Sequence, residues 1–275
     1  MRYNIIKPLS SGAFGRVYGV RGEDNNKYAL KELKFFNITN KECFERKIKI
    51  LSRLNHPNIV KIIQWDLGGD PPNFRPYYIM EYLSGSSLRL HMDEKFSQRF
   101  VFESKWTINT IILPICNALA QAHSENIYHR DLKPDNIMFT TPTRSQINIT
   151  DWGLGKDIHQ ESLALTAALG GQIGGTPGYC SPEQWFGFDE NVIDHRTDIF
   201  SLGLIFYEMI TGMRPPVYND NIKRQPVDLP SKYYPTISRK LDRCILQMIE
   251  LKPENRFQSI WDLIFEIETL PDNYS

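Results

Sequence analysis

The sequence has few of the features that would place it outside the ordinary globular class. Its net charge is zero, with 32 Lys and Arg against 32 Asp and Glu. No global field therefore favours nucleic acid or an anionic membrane, and no dense Lys/Arg run supplies a local one. Cysteine is scarce: Cys43, Cys116, Cys180 and Cys244 are the only four. None forms a C-x-x-C pair, so zinc-ligand spacing is missing. They read as reduced thiols of a cytoplasmic protein, with Cys180 partly exposed. Met1-Arg2-Tyr3-Asn4 has no apolar stretch of the signal-peptide kind. The longest apolar run, Ile111 to Ile115, is broken by Pro114 and is far too short to span a bilayer. Repeats and low-complexity tracts are missing too. The expectation is a soluble chain with no membrane segment and no nucleic-acid partner.

What remains is 275 residues, 41% hydrophobic and 23% charged. That is room for one two-lobed domain or two small ones. Alternation predicts strands over Asn4–Ser10, Gly15–Arg21, Lys27–Leu33, Ile59–Asp66 and Tyr77–Tyr82. A helix is predicted over Asn40–Leu54, with Cys43, Phe44, Ile48 and Leu51 on one face and His56-Pro57-Asn58 ending it. Gly68–Pro76 reads as a loop. After Ser84-Gly85-Ser86 the pattern turns helical, over Ser104–Ser124, Ile199–Ile210, Thr236–Leu251 and Ser259–Leu270. Pro114 should kink or interrupt the first of these. The expected boundary separates residues 1–83, a strand-rich nucleotide-binding lobe, from residues 84–275, a helical catalytic and substrate-binding lobe.

The densest chemistry lies in His129-Arg130-Asp131-Leu132-Lys133-Pro134-Asp135-Asn136. Phosphoryl transfer uses a carboxylate to orient and deprotonate a hydroxyl, an amide oxygen for a divalent ion and a cation for the migrating charge. Asp131, Asn136 and Lys133 offer these types on one short loop. Asp151-Trp152-Gly153 follows an apolar segment, Gln146–Thr150, and Asp151 is a second candidate metal ligand. Trp152 would pack under the small-lobe helix. Upstream, Leu9-Ser10-Ser11-Gly12-Ala13-Phe14-Gly15-Arg16-Val17 is a turn whose Gly12 and Gly15 let backbone amides approach phosphates. Ser10 stands where the G-x-G-x-x-G-x-V pattern has its first glycine, and Val17 would cover the adenine ring. In Tyr28-Ala29-Leu30-Lys31, alternation puts Ala29 and Lys31 on one face. Lys31 would hold phosphates and Ala29 would leave room for adenine.

This ordered set resembles the catalytic domain of eukaryotic-type Ser/Thr protein kinases from about Tyr3 to about Leu270. Ser181-Pro182-Glu183-Gln184 and Thr166-Ala167-Ala168 are similar to the bacterial branch. The resemblance implies an α+β, two-lobed kinase fold: a small antiparallel-sheet lobe with one main helix, and a larger helical lobe. It implies ATP with Mg²⁺, or Mn²⁺, and protein substrates, the chain itself included. Ile79-Met80-Glu81-Tyr82-Leu83 becomes the hinge, and Met80, Glu81, Leu83 and Met138 join the ATP-binding set. Thr176 would sit with Asp131 and Lys133 at the substrate hydroxyl. Glu183 is expected to pair with Arg256, and Asp198 to accept backbone hydrogen bonds from the catalytic loop. Ser162 and Thr166 are candidate phosphosites, with Arg130 as the receiving cation, because Gln172 occupies the usual position.

One departure stands out. The family's helix glutamate, nine residues before the His of H-P-N, is Lys47 here. Two ammonium groups at ~4 Å repel by about 4 kcal/mol at an effective dielectric of 20, so Lys47 is expected to swing away from Lys31 and α-helix Asn40–Leu54 to rest outward. Three alternatives follow. Lys47 weakens activity; another carboxylate, Glu45 or Asp151, holds Lys31; or the domain is a nucleotide-binding scaffold without turnover. A small-metabolite kinase is the remaining alternative.

Overall fold

The computed structural model describes residues 2–12, 15–35, 38–68, 75–98, 101–152, 178–185, 193–214 and 227–270. Five antiparallel strands form the first layer: β1 (Tyr3–Ser11), β2 (Gly15–Gly22), β3 (Lys27–Leu33), β4 (Ile62–Asp66) and β5 (Tyr77–Glu81). They lie in the order β1-β2-β3-β5-β4. Pro8 is tolerated in β1 because this is an edge strand, with register shifts on either side of it. Between β3 and β4 runs α1 (Ile38–Arg53). Its buried Phe44 and Ile48 pack with Leu33 and Tyr78 of the sheet. The Phe44 and Tyr78 rings lie 5.3 Å apart. Leu51 and Leu54 instead belong to the main core below, so one helix face joins both hydrophobic clusters. The side chain of Cys43 lies outside the described residues.

The remaining elements are mostly helical: α2 (Leu88–Ser97), α3 (Ser104–Thr107), α4 (Leu113–Ser124), β6 (Ile137–Phe139), β7 (Ile147–Ile149), α5 (Pro182–Trp185), α6 (Arg196–Thr211), α7 (Pro230–Tyr233), α8 (Arg239–Met248) and α9 (Ile260–Glu268). Just before Pro114 the regular α-helix is interrupted, as expected. A π-turn over Ile108–Ile112 links α3 to α4, and the Leu113 N–H reaches back to the Ile108 carbonyl. That turn accommodates a residue with no N–H to donate. Every residue of α6 after Arg196 is buried, the pattern of a helix enclosed on all sides. Gly203 permits this: a Cβ there would lie 2.6 Å from the Met248 Cβ of α8. Serines cap α2, α8 and α9, where Ser87, Ser238 and Ser259 accept from the N–H of Leu90, Leu241 and Asp262. The fold is α+β and two-lobed, and β5 leads from one lobe to the other.

Candidate active site

The loop between α4 and β6 carries Asp131, Lys133 and Asn136, and buried hydrogen bonds fix its path. Asp198, near the start of α6, is fully buried. Its carboxylate accepts the backbone N–H of His129 and of Arg130, each at 2.8 Å, and His123 Nε2–H at 2.9 Å. Burial pushes this carboxyl upward, but the His123 bond and the neighbouring charges outweigh it and hold Asp198 below its ordinary value. Arg130 is thereby held in the left-handed region, at φ 63°. Its carbonyl accepts from Gln184 Nε2 at 2.8 Å. A strained non-glycine position of this kind persists only where its surroundings over-determine it.

His129 ties this loop to the next functional segment. Its Nε2–H donates to the Thr150 carbonyl at 3.0 Å, which leaves Nδ1 to accept the Asp131 N–H at 3.3 Å. Burial lowers its pKa, favouring the neutral ring that this double role needs. Within the loop, Lys133 Nζ donates to Asp131 Oδ2 at 2.8 Å. Asn136 Nδ2 donates to the Asp131 carbonyl at 2.8 Å and to Oδ2 at 3.2 Å. The amide oxygen of Asn136 is therefore the end left for an ion.

Asp151 follows β7 at φ 59°, a left-handed position that Asp tolerates better than most residues. Trp152 behind it is fully buried, in the same cluster as Leu51 of α1 and Leu54 just after it. Its Nε1–H donates to the Ile149 carbonyl at 3.2 Å. Across the cleft, β3 presents Ala29, 5% exposed, and Lys31. Lys31 Nζ donates to Asp151 Oδ1. Lys47 does not swing away: its Nζ also reaches Asp151 Oδ1, at 3.4 Å. The expected repulsion is met by a shared carboxylate. Glu45 plays no part in this, since it pairs with Lys49 at 3.1 Å on the helix exterior. Of the two carboxylates weighed as partners of Lys31, Glu45 and Asp151, the geometry takes Asp151. Burial, then repulsion from Lys31, depresses Lys47 to about 8. Burial opposes the charge on Lys31 as well, but Tyr78 and Asp151 beside it hold its ammonium above the ordinary value. Asp151 is pushed upward by burial and pulled further down by Lys47 and Lys31, ending below the ordinary carboxylate range.

Several other sequence-predicted residues lie on strands paired with β3 or next to it. Val17 of β2 faces Ser10 on one side and Lys31 on the other in strand register. The Gly12 N–H donates to the Gly15 carbonyl at 2.9 Å. A Cβ on Gly15 would meet the Glu32 carbonyl at 3.0 Å and Lys31 Cε at 3.2 Å, so a side chain there would press on the lysine. Met80 pairs with Ala29 and Ile62. The Glu81 carboxylate accepts from Lys61 N–H at 2.9 Å and Asn148 Nδ2 at 2.6 Å. Leu83 is half-buried, and Met138 bridges Ser87. Thr176, Ser162 and Thr166 lie outside the described residues.

Farther from the cleft, Arg256 grips Glu183 with Nη1 at 2.7 Å and Nη2 at 2.8 Å, both side chains almost fully buried. Thr197 Oγ1 adds a third bond to Glu183 at 2.8 Å. One expectation needs correction: Cys180 is buried, at 3% exposure. Arg130 is buried too, with its guanidinium over the Tyr128 ring at 5.6 Å. Gln184, Asn148, His123 and Thr197 all serve the site's scaffold and were not anticipated. Gln184 stood in the sequence only as the end of Ser181-Pro182-Glu183-Gln184, and no local pattern marks the other three; each is chosen by what the chain brings beside it.

The two lobes, the cleft and its residues define the class, a protein kinase fold. A family model for the protein kinase domain matches residues 3–264, and the chain belongs to that family. It is 32% identical over 273 residues to the serine/threonine-protein kinase Pkn1 of Myxococcus xanthus, covering 94% of this chain and 36% of that protein. It is 31% identical to PknB of Mycolicibacterium smegmatis, covering 78% and 34%. The chain thus spans little more than a third of these curated relatives. The crystal structure of the Mycobacterium tuberculosis PknI kinase domain superposes with a TM-score of 0.71 at 24% identity, covering 97% of this chain and 95% of that one. Among the described residues no helix is long and apolar enough to cross a membrane.

Proposed function

We propose that this chain transfers the γ-phosphoryl group of ATP to serine or threonine hydroxyls of proteins, its own included, in the cytoplasm. Residues 1–83 would bind the nucleotide and residues 84–275 would supply catalysis and the substrate platform. The observation that carries this reading is the hydrogen-bonded set Asp131–Lys133–Asn136, facing a second carboxylate, Asp151, that already engages the strand lysine Lys31.

In this reading Asp131 orients the attacking hydroxyl and accepts its proton at the carboxylate. Lys133, on Asp131 Oδ2, places positive charge beside the migrating phosphoryl group. Lys31 binds the α- and β-phosphates. Val17 and Ala29 enclose the adenine, with Met80, Glu81, Leu83 and Met138 at the hinge side and Ser10, Gly12 and Gly15 over the phosphates. Thr176 would complete the substrate side.

Among the described residues no cluster of three or more His, Cys, Asp or Glu side chains is poised to hold a metal. The two oxygens available, from Asn136 and Asp151, suit an ion that keeps waters and takes phosphate oxygens as its remaining ligands, as Mg²⁺ does and Mn²⁺ can. When bound, such an ion supplies charge neutralisation between the phosphates. Asp151 fits this role only by giving up part of its hold on the two lysines.

Incubation with radiolabelled ATP, Mg²⁺ and a generic basic protein tests the proposal, with Asp131→Asn as control and mass-spectrometric mapping of Ser162, Thr166 and Thr176. Label in the native chain and not in the control is expected. Label equal in both, or none in either, would overturn the assignment.

A further inference from the structure

Lys47 is a charged residue of the cleft that the proposed chemistry leaves without a task. The electrostatic balance around it is unusual. Two buried ammonium groups, Lys31 and Lys47, with side chains 13% and 16% exposed, converge on one oxygen of one carboxylate. Among the described residues no other acidic side chain lies within ion-pair distance of either lysine. The α1 helix cannot relieve the excess by turning, because Phe44, Ile48 and Leu51, on the face that also carries Lys47, are anchored in the two cores. Nor does Glu45 help, since it points to Lys49 on the outer face. Asp151, in contrast, is 40% exposed and opens to the cleft.

This arrangement repels a bare divalent cation and attracts a polyanion. A cation approaching Asp151 meets two ammonium groups already at its oxygen. A di- or triphosphate meets two compact donors partly stripped of water, the setting in which charge-assisted bonds to phosphate oxygens are strongest.

We propose that Lys47 is a second phosphate-binding lysine, which makes nucleoside polyphosphate binding at this site largely independent of a divalent cation. Lys47 rests on Asp151 while the cleft is free and moves to a phosphate oxygen when nucleotide enters. The two ammonium groups then supply at the phosphates the positive charge that a metal would otherwise bring, so a metal arriving later adds little. By linkage, metal and nucleotide gain little from one another here, and a carboxylate at position 47 would couple them strongly. The inference rests on the nucleotide-binding reading above and adds the source of the charge that holds the phosphates.

Calorimetric titration of the chain with ADP, once in EDTA and once in excess Mg²⁺, tests it. The native chain should bind ADP in EDTA within about fivefold of its affinity in Mg²⁺, whereas Lys47→Met should weaken the EDTA affinity about tenfold or more, the scale of one lost charge-assisted contact. Lys47→Glu should weaken it further and restore a large Mg²⁺ dependence. Lys47→Arg, which keeps the charge, should retain metal-free binding, as should Lys49→Met, an outward-facing control on the same helix. Equal EDTA affinities in the native chain and Lys47→Met would overturn the inference while leaving Mg²⁺-dependent binding, and with it the proposed function, intact. No ADP binding under either condition would overturn both.

Discussion

Two carboxylates in this molecule meet positive charge in opposite ways. Glu183 is buried and meets one guanidinium, bond for bond: Arg256 fills both its oxygens and spends its other donors on the Glu250, Leu251 and Arg196 carbonyls. Asp151 opens to the cleft and meets two ammonium groups on a single oxygen. The first pair is matched in charge, shape and donor number, so nothing is left over for a ligand. The second is over-supplied with positive charge, which a ligand can take up. A closed pair fixes structure; an open, unbalanced one is ready to exchange partners.

The strongest way to break the comparison is at the matched pair. Arg256→Ala leaves Glu183 buried without its cation and should cost about 3–5 kcal/mol, the usual loss for half of a buried ion pair. Urea denaturation of variant and native chain measures it. A loss under about 1 kcal/mol would mean that the pair is no better matched than a surface contact.

At the unbalanced site the sign should reverse. Lys47 is depressed to about 8 in the folded chain, against roughly 10.4 for an unperturbed lysine. Between these values the unfolded chain holds the extra proton, so stability rises with pH through that window. Below about pH 8 the folded state carries the full cost of keeping Lys47 charged, about 3 kcal/mol at 1.36 kcal/mol per pH unit. Lys47→Met should therefore be more stable than the native chain at pH 7, with the difference closing as pH rises to 10. Thermal melts across that range read the slope. A variant less stable at pH 7 would show that Lys47 is as well matched as Arg256.

His91 sharpens the comparison from the acid side, because it is a buried base with a cation for a neighbour. Its ring lies against Phe102, Trp106 and Phe139. Arg144 donates to its Nδ1, so the neutral tautomer carries its proton on Nε2. Burial, then the Arg144 and Lys95 charges, lower it to about 4. As pH falls below about 6.5 the unfolded chain takes a proton that the folded chain refuses, and stability is lost down to about pH 4. Allowing for solvent screening at the ring edge, the loss is about 1–2 kcal/mol. In His91→Phe that slope should become shallower in a urea series between pH 7 and 4.5, the remainder coming from His129 and His56, which burial also lowers. An unchanged slope would place the acid sensitivity elsewhere.

These residues also show what the sequence could and could not convey. Strand β3 is legible to its last residue, because Ala29, Lys31 and Leu33 share one face of a continuous run and the first and last of them are buried. The catalytic loop is legible because its chemistry is concentrated in eight neighbouring residues. Lys47 was legible as an anomaly and misread in its geometry: a repulsion between two groups was weighed without the third, and Asp151 lies 104 residues away. Helix α2 escaped notice because it buries only Leu88, His91 and Met92, too few apolar positions to mark a period. Gln184 and Asn148 satisfy groups distant in sequence, and nothing beside them in the chain announces it.

The smallest effect belongs to the pair that most resembles a stabilising contact on paper. Glu45 and Lys49 are spaced i, i+4 on α1, in the favoured order with the acid first, at 3.1 Å. But Lys49 is 73% exposed, so water competes for its charge and the side chain must give up rotamer freedom to hold the contact. Glu45→Ala should change stability by no more than about 0.5 kcal/mol, less still in 0.5 M salt, where exposed charges are screened. It also leaves the Lys31–Asp151–Lys47 cluster alone, so ADP affinity in EDTA should hold. If Glu45→Ala instead changed that affinity severalfold, the outer face of α1 would be coupled to the cleft. The division between closed, matched charge and open, unmatched charge would then fail at the helix that carries both kinds.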